Sequence, residues 1–182
     1  MELLEAIYQR RAVRAFQNQP VARNALQELV DAAIQAPSAM NAQPWHFTIV
    51  RNPRLLDQIS AEAKRFLLDS DGTPEALRAE IFDANFHVFY RAPALVLISI
   101  RGADWAREDA ALAAENLMLA AHDQGLGTCW IGLAQGWLGT EDGRKAVDLP
   151  KDFVPVAPII VGHPIGVPQQ VPRKSPTIRW MD

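Results

Sequence analysis

Leu3, Leu4, Ile7 and Tyr8 recur at helical spacing and predict a short first helix that runs into Arg10-Arg11-Ala12-Val13-Arg14. From about Ala22, the residues Leu26, Leu29, Val30, Ala33 and Ile34 form one apolar stripe, with Glu28 and Asp31 on the opposite side. This predicts a second helix. Pro37 stops it, because the residue before a proline avoids helical angles. A polar loop, Ser38 to Pro44, follows. Trp45 to Val50 alternates and is rich in aromatic and β-branched residues, so it reads as a strand. Pro53 suits the first turn of a third helix, to about Leu68. Residues 69–74 read as a loop and a weaker helix follows to about Phe82. Ala94 to Ile100 is an unbroken apolar run, the pattern of a buried strand. Glu108 to Gln124 is apolar almost all round, which places a helix in a core or a subunit interface. Gly125 ends it. Gly127–Gly132 and Val154–Gly162 read as strands. The last twenty residues carry Pro164, Pro168, Pro172 and Pro176, which fit neither a regular helix nor a central strand, and predict an extended arm.

Helices and strands interleave in one α+β domain spanning residues 1–182, with a central sheet packed by helices. A chain of 182 residues buries roughly 70% of its unfolded surface in one core, so it needs no covalent staple. Hydrophobic residues make up 49% and charged ones 21%, the balance of an ordered domain rather than a disordered one. A net charge of −3, with no basic run, offers nothing to nucleic acid. Cys129 is the sole cysteine, so neither an intrachain disulfide nor a thiolate metal site is expected. The acidic N-terminus does not resemble a secretory signal, and Ala92 to Ile98 is too short to span a bilayer. The expected compartment is a reducing cytoplasm, with no membrane association.

The common nucleotide, zinc-protease and serine-hydrolase motifs are absent. Gly125-Leu126-Gly127 resembles half of a dinucleotide fingerprint, but it follows a helix and Trp130 stands where the third glycine belongs. His46, His87, His122 and His163 are scattered, with no metal-ligand spacing. Glu108 and Asp109 read as first-turn helix charges.

Three clusters carry candidate chemistry. Arg10, Arg11 and Arg14 can grip a phosphate through charge-assisted hydrogen bonds; alternatively they form a solvated basic turn. Ser38, Asn41 and Gln43, between Pro37 and Pro44, offer donors and acceptors suited to a polyhydroxyl chain; alternatively they face water in a simple connection. The glycines of Gly125 to Gly132 let backbone amides approach a flat ring; alternatively they make a tight turn and a strand.

Taken in order, these clusters resemble the nitroreductase-like flavoproteins over nearly the whole chain. Arg10-Arg11-Ala12-Val13-Arg14 is similar to the family's R-R-S-x-R opening. Ala36 to Phe47 is similar to its A-P-S-x-x-N-x-Q-P-W-x-F signature. The helix containing Asn116, the strand after it, Gly162-His163-Pro164 and the pair Arg173-Lys174 resemble further family elements. The resemblance implies a mostly antiparallel sheet and an interlocked homodimer with two FMN molecules at the interface. It implies that Arg10 holds the FMN phosphate beside Arg11 and Ala12, helped by Arg173 or Lys174 from the arm. By the same resemblance Arg14 would lie near N1 and the C2 carbonyl. Ser38, Asn41 and Gln43 would reach the flavin bound mainly by the other chain, with Pro37 and Ala39 lining its face. Asn85 would contact the pyrimidine edge, and the amides near Ile131 and Gly132 would face N5 and the C4 carbonyl.

The implied activity is ping-pong. NADH or NADPH reduces the flavin, and an electron-poor acceptor such as a nitroaromatic or quinone takes the reducing equivalents. No side-chain catalyst is needed, and Cys129, His46 and Trp45 read as core strand residues. Ala12 departs from the family's serine, which predicts one lost phosphate hydrogen bond and retained binding. The short chain predicts an open substrate pocket. Two other readings are a non-catalytic flavin-binding dimer and a relative with other flavin chemistry, such as dehalogenation or oxidation.

Overall fold

A computed structural model of the chain describes residues 2–102 and 104–182. Its elements are α1 (Leu3–Gln9), α2 (Arg23–Ala33), β1 (Trp45–Val50), α3 (Pro53–Leu68), α4 (Glu75–Phe82), β2 (Ala94–Ile100), α5 (Ala106–Asp123), β3 (Gly127–Trp130), α6 (Gly132–Leu138), α7 (Glu141–Ala146) and β4 (Val154–Gly162). The strands form one sheet in the order β1-β2-β4-β3, and every neighbouring pair is antiparallel.

β2 shows why its sequence is apolar at every position but one, Ser99, which is itself buried. Ala94, Val96, Ile98 and Ile100 join Leu26 and Leu29 of α2 and Leu117 of α5 on one face of the sheet. Leu95 and Leu97 join Leu56 and Ile59 of α3 and Leu138 of α6 on the other. A strand covered on both sides has no polar face to present. Each large aliphatic side chain buried there contributes roughly 1.5–3 kcal/mol.

Local signals set the helix ends. Asn52 accepts hydrogen bonds from the Arg54 and Leu55 amides, and Pro53 fills the first turn of α3. α5 buries Ala110, Ala113, Ala114 and Ala121, small side chains that let α2 and the sheet come close. Leu112, on its other side, is exposed.

β3 stops at Trp130 rather than continuing to Gly132, because Gly132 opens α6. The sequence did not predict α6 and α7. Their glycines lower helix propensity, yet close packing requires them. A Cβ on Gly136 would lie 2.7 Å from the Phe66 ring, and one on Gly143 would lie 2.1 Å from the Trp137 carbonyl oxygen.

The segment after α1 runs along the open edge of β3. Ala12 bridges to Thr128 in parallel, and the Val13 amide donates to the Thr128 carbonyl at 2.9 Å. At the chain's other end the Ile165 amide donates to Ala15. Beyond it, residues 166–182 are exposed and without regular structure, as the prolines predicted. Among the described residues, no helix is long and apolar enough to cross a membrane.

Candidate functional site

Three segments meet at a cavity of about 270 Å³ lined by Arg14, Tyr90, Cys129, Trp130, Ile131, Gly132 and Leu133. Arg14 comes from the segment laid against β3. That approach depends on Gly127, where a Cβ would lie 2.8 Å from three side-chain carbons of Val13. The β3–α6 junction supplies backbone donors. The Ile131 amide is taken by the Pro158 carbonyl at 2.7 Å. Donors toward the cavity therefore begin at Gly132, in the first turn of a helix that has no side-chain cap. A Cβ on Gly132 would meet nothing within 4 Å, so this wall is open. The same glycine borders a second cavity of about 520 Å³, whose lining includes Arg107, Gln135 and Thr140. A cavity of about 490 Å³ between Phe16, Asp57, His87 and Arg91 shares no lining residue with the Arg14 cavity. It lacks the pairing of a cation with an uncapped helix start, so the site centres on Arg14.

The Arg14 guanidinium lies over the Tyr90 ring, 5.8 Å from its centroid, a cation–π contact. Burial pushes the Tyr90 phenol above its usual range and Arg14 only partly opposes it, so the hydroxyl remains a neutral donor. Burial likewise raises the Cys129 thiol, against the pull of Arg14 and Arg10. A protonated, buried thiol is a poor nucleophile, in keeping with its expected role as a core residue. Among the described residues no carboxylate pairs with Arg14. Arg10 gives Nε to Glu115 of α5 at 3.2 Å, which aims its guanidinium and leaves further donors unused. Arg11 turns inward, with Nη1 bonded to the carbonyls of Tyr8 and Arg10. Nη1 thus holds the turn after α1, while Nε is buried without a hydrogen-bond partner among the described residues. Arg14 in the lining, Arg10 on the same segment, an aromatic wall and the start of a helix with no side-chain cap suit a planar anion-bearing ligand that gains negative charge.

The loop of residues 37–44 does not share this cavity. Ser38 Oγ accepts from the Gln43 amide, and the Gln43 side chain donates to Asn41 Oδ1. Met40, Asn41 and Gln43 all have positive φ (54°, 54° and 47°), an uncommon strain for residues with a Cβ. The Ala39 amide donates to Asp109 Oδ1 at 3.0 Å. Asp109 does lie in the first turn of α5, as expected, but it is also buried and ties down this loop. Asp109→Ala is expected to cost about 1.5–3 kcal/mol, the range for a hydrogen bond to a charged group. Urea denaturation measures it, and an unchanged midpoint would remove Asp109 from this role.

Asn85 is exposed between α4 and β2, and its amide donates to Asp83. It does not line the Arg14 cavity; Tyr90, five residues later, does. Arg173 and Lys174 are exposed on the arm. Within one chain the structure gathers Arg14, Ile131 and Gly132, with Arg10 and Ala12 on the adjoining segment. Pro37, Ser38, Ala39, Asn41 and Gln43 stand apart. Tyr90 and Glu115 are functional candidates that the sequence reading missed.

Residues 7–163 match the model of the nitroreductase family. The chain belongs to the nitroreductase family. A relative from Methanothermobacter thermautotrophicus, provisionally named an NADH dehydrogenase/NAD(P)H nitroreductase, is 32% identical over 90% of this chain and 78% of its own. An iodotyrosine deiodinase from Thermotoga neapolitana is 29% identical over 98% of this chain and 97% of its own. The crystal structure of a Bacteroides fragilis nitroreductase with bound FMN superposes with a TM-score of 0.89, at 28% identity, over all of both chains. As a member of this family the chain is an oxidoreductase.

Proposed function

We propose that this chain is an FMN-dependent oxidoreductase, a single flavin-binding domain over residues 1–182, working as a homodimer in the cytoplasm. The Arg14 cavity carries the reading: a guanidinium with no carboxylate partner among the described residues, an aromatic wall and the uncapped helix start at Gly132 converge there. FMN held there would supply the redox chemistry, hydride transfer from NADH or NADPH toward a nitroaromatic or quinone.

The chain's own residues bind and orient. Arg10, steered by Glu115, holds the phosphate, with Arg173 or Lys174 from the arm. Ala12 contributes backbone only, and Arg11 fixes the turn. Arg14 faces the edge of the ring where reduction places negative charge, and Tyr90 keeps that guanidinium in place. The Gly132 amide, beside Ile131, serves the opposite edge. Pro37, Ser38, Ala39, Asn41 and Gln43 reach the cofactor held mainly by the second subunit, which fits their separation from Arg14 within one chain. Asn85 comes to the ring only with rearrangement of its exposed loop.

Exposed apolar surface supports the dimer. Leu3, Leu4, Ile7 and Tyr8 of α1, Leu112 of α5, and Ile178 and Trp180 of the arm all face outward in one chain. β1 pairs only with β2 and leaves an edge open.

Steady-state kinetics test the activity. Parallel double-reciprocal lines with NADH or NADPH against a nitroaromatic or quinone are expected. The likeness to an iodotyrosine deiodinase favours a second reading, in which the acceptor is a halogenated phenol. Release of iodide from 3-iodotyrosine at a higher kcat/KM than nitro or quinone reduction would select it. Bound FMN with no turnover of any of these would leave only a binding role.

A further inference from the structure

Three successive backbone amides end on one residue. The His87 carbonyl accepts from the Tyr90 amide at 2.7 Å. Its Nδ1 accepts from the Phe89 amide at 3.1 Å and the Arg91 amide at 3.4 Å. Backbone N–H groups only donate, so Nδ1 carries no proton, and Nε2 donates to Asp57 Oδ1 at 3.1 Å. The turn held this way is strained: Tyr90 and Arg91 have φ of 50° and 53°. α3 pins the same loop with one face, at the helical spacing Asp57, Ser60, Lys64. Ser60 Oγ accepts from the Val88 amide, and Lys64 Nζ donates to the carbonyls of Asp83 and Phe86.

We propose that His87 is the positioning residue that sets Tyr90 against Arg14 in the cofactor cavity, and that it does so only as the neutral imidazole with Nδ1 free of a proton. This rests on the flavin reading of that cavity. Protonation would turn Nδ1 from acceptor to donor while it faces two donors, and the turn that carries Tyr90 would lose two of its three ties to His87.

The groups facing His87 are Asp57 and Lys64 from α3, Arg91 from its own loop, and Arg51 across the shared cavity. Burial lowers its pKa from 6.5, Arg91 and Lys64 act in the same direction, and Asp57 opposes them. For a histidine with a lowered folded pKa, the unfolded chain binds more protons in that window, so stability rises with pH. The stabilisation is complete above about pH 6.5 and is lost as the pH falls through the lower folded value.

The test is the dissociation constant for FMN, read by flavin fluorescence, for wild type, His87→Ala and His87→Asn at pH 8 and at a lower pH where NMR shows the His87 ring of the folded protein protonated. The Asn carbonyl oxygen stands near the place of Nδ1 and does not titrate. At pH 8, His87→Ala should weaken binding roughly five- to tenfold, about one hydrogen bond's worth, and His87→Asn should stay within about twofold. Between those two pH values the wild type should lose more affinity than His87→Asn. The FMN phosphate titrates equally in both, so the difference reports His87. Equal pH dependence in wild type and His87→Asn overturns the proposal even if His87→Ala does not fold, and leaves the flavin reading intact. A wild type that binds no FMN overturns the flavin reading and this proposal with it.

Discussion

Arg14→Ala is expected to slow reduction by NAD(P)H roughly 10²–10³-fold, the usual cost of removing one preorganised charge-stabilising group from a reacting centre. The expectation rests on position. Arg14 lines the cavity beside Gly132, lies over the Tyr90 ring, and has no carboxylate partner among the described residues to neutralise it. A cation held in place this way stabilises negative charge as it develops and needs little reorganisation to do so. Arg14→Lys should recover part of the rate, because it restores charge but not a planar group that stacks on Tyr90. Stopped-flow measurement at saturating NADPH or NADH separates this from weaker binding. A rate within threefold of wild type in Arg14→Ala would remove Arg14 from the reaction.

Gly127→Val is expected to weaken both the fold and the site. The Cβ alone would lie 2.8 Å from Cβ, Cγ1 and Cγ2 of Val13, and valine adds two methyl groups beyond it. β3 is held by its register with β4, from Gly127↔Gly162 to Trp130↔Ile159. The segment carrying Arg10 and Arg14 has one bridge to β3, at Ala12, and its second bridge, Phe16 to Pro164, lies beyond Arg14, so it is the part that yields. Overpacking of this kind costs about 1–3 kcal/mol. Displacing both arginines should weaken FMN binding by at least about tenfold, or about 1.4 kcal/mol. Denaturation in urea and a flavin titration measure the two effects separately. Unchanged FMN affinity in a folded Gly127→Val protein would show that the approach of Val13 to β3 does not position the site.

Much of the fold was readable because its elements obey simple periods. β2 is apolar at every position but Ser99 because both faces are covered, and α2 carries one stripe because only one side meets the core. α6 and α7 escaped because close packing placed glycines where helix propensity wants other residues. The site was readable as far as charge and local motif reach: Arg10, Arg14 and Gly132 were expected from their clusters. Tyr90 was not, because Tyr90-Arg91-Ala92-Pro93 reads as a lead-in to a strand, and no local pattern announces its left-handed backbone. The inward turn of Arg11 and the reach of Asp109 to Ala39 depend on tertiary contacts that the sequence does not display.

The central claim, that the Arg14 cavity holds a reducible flavin, is tested most directly by the absorbance spectrum of the purified protein, recorded without oxygen before and after adding NADPH or NADH. Flavin bands that bleach on addition are the expected result. A colourless protein that stays colourless after incubation with FMN would contradict the roles given to Arg10, Arg14 and Gly132.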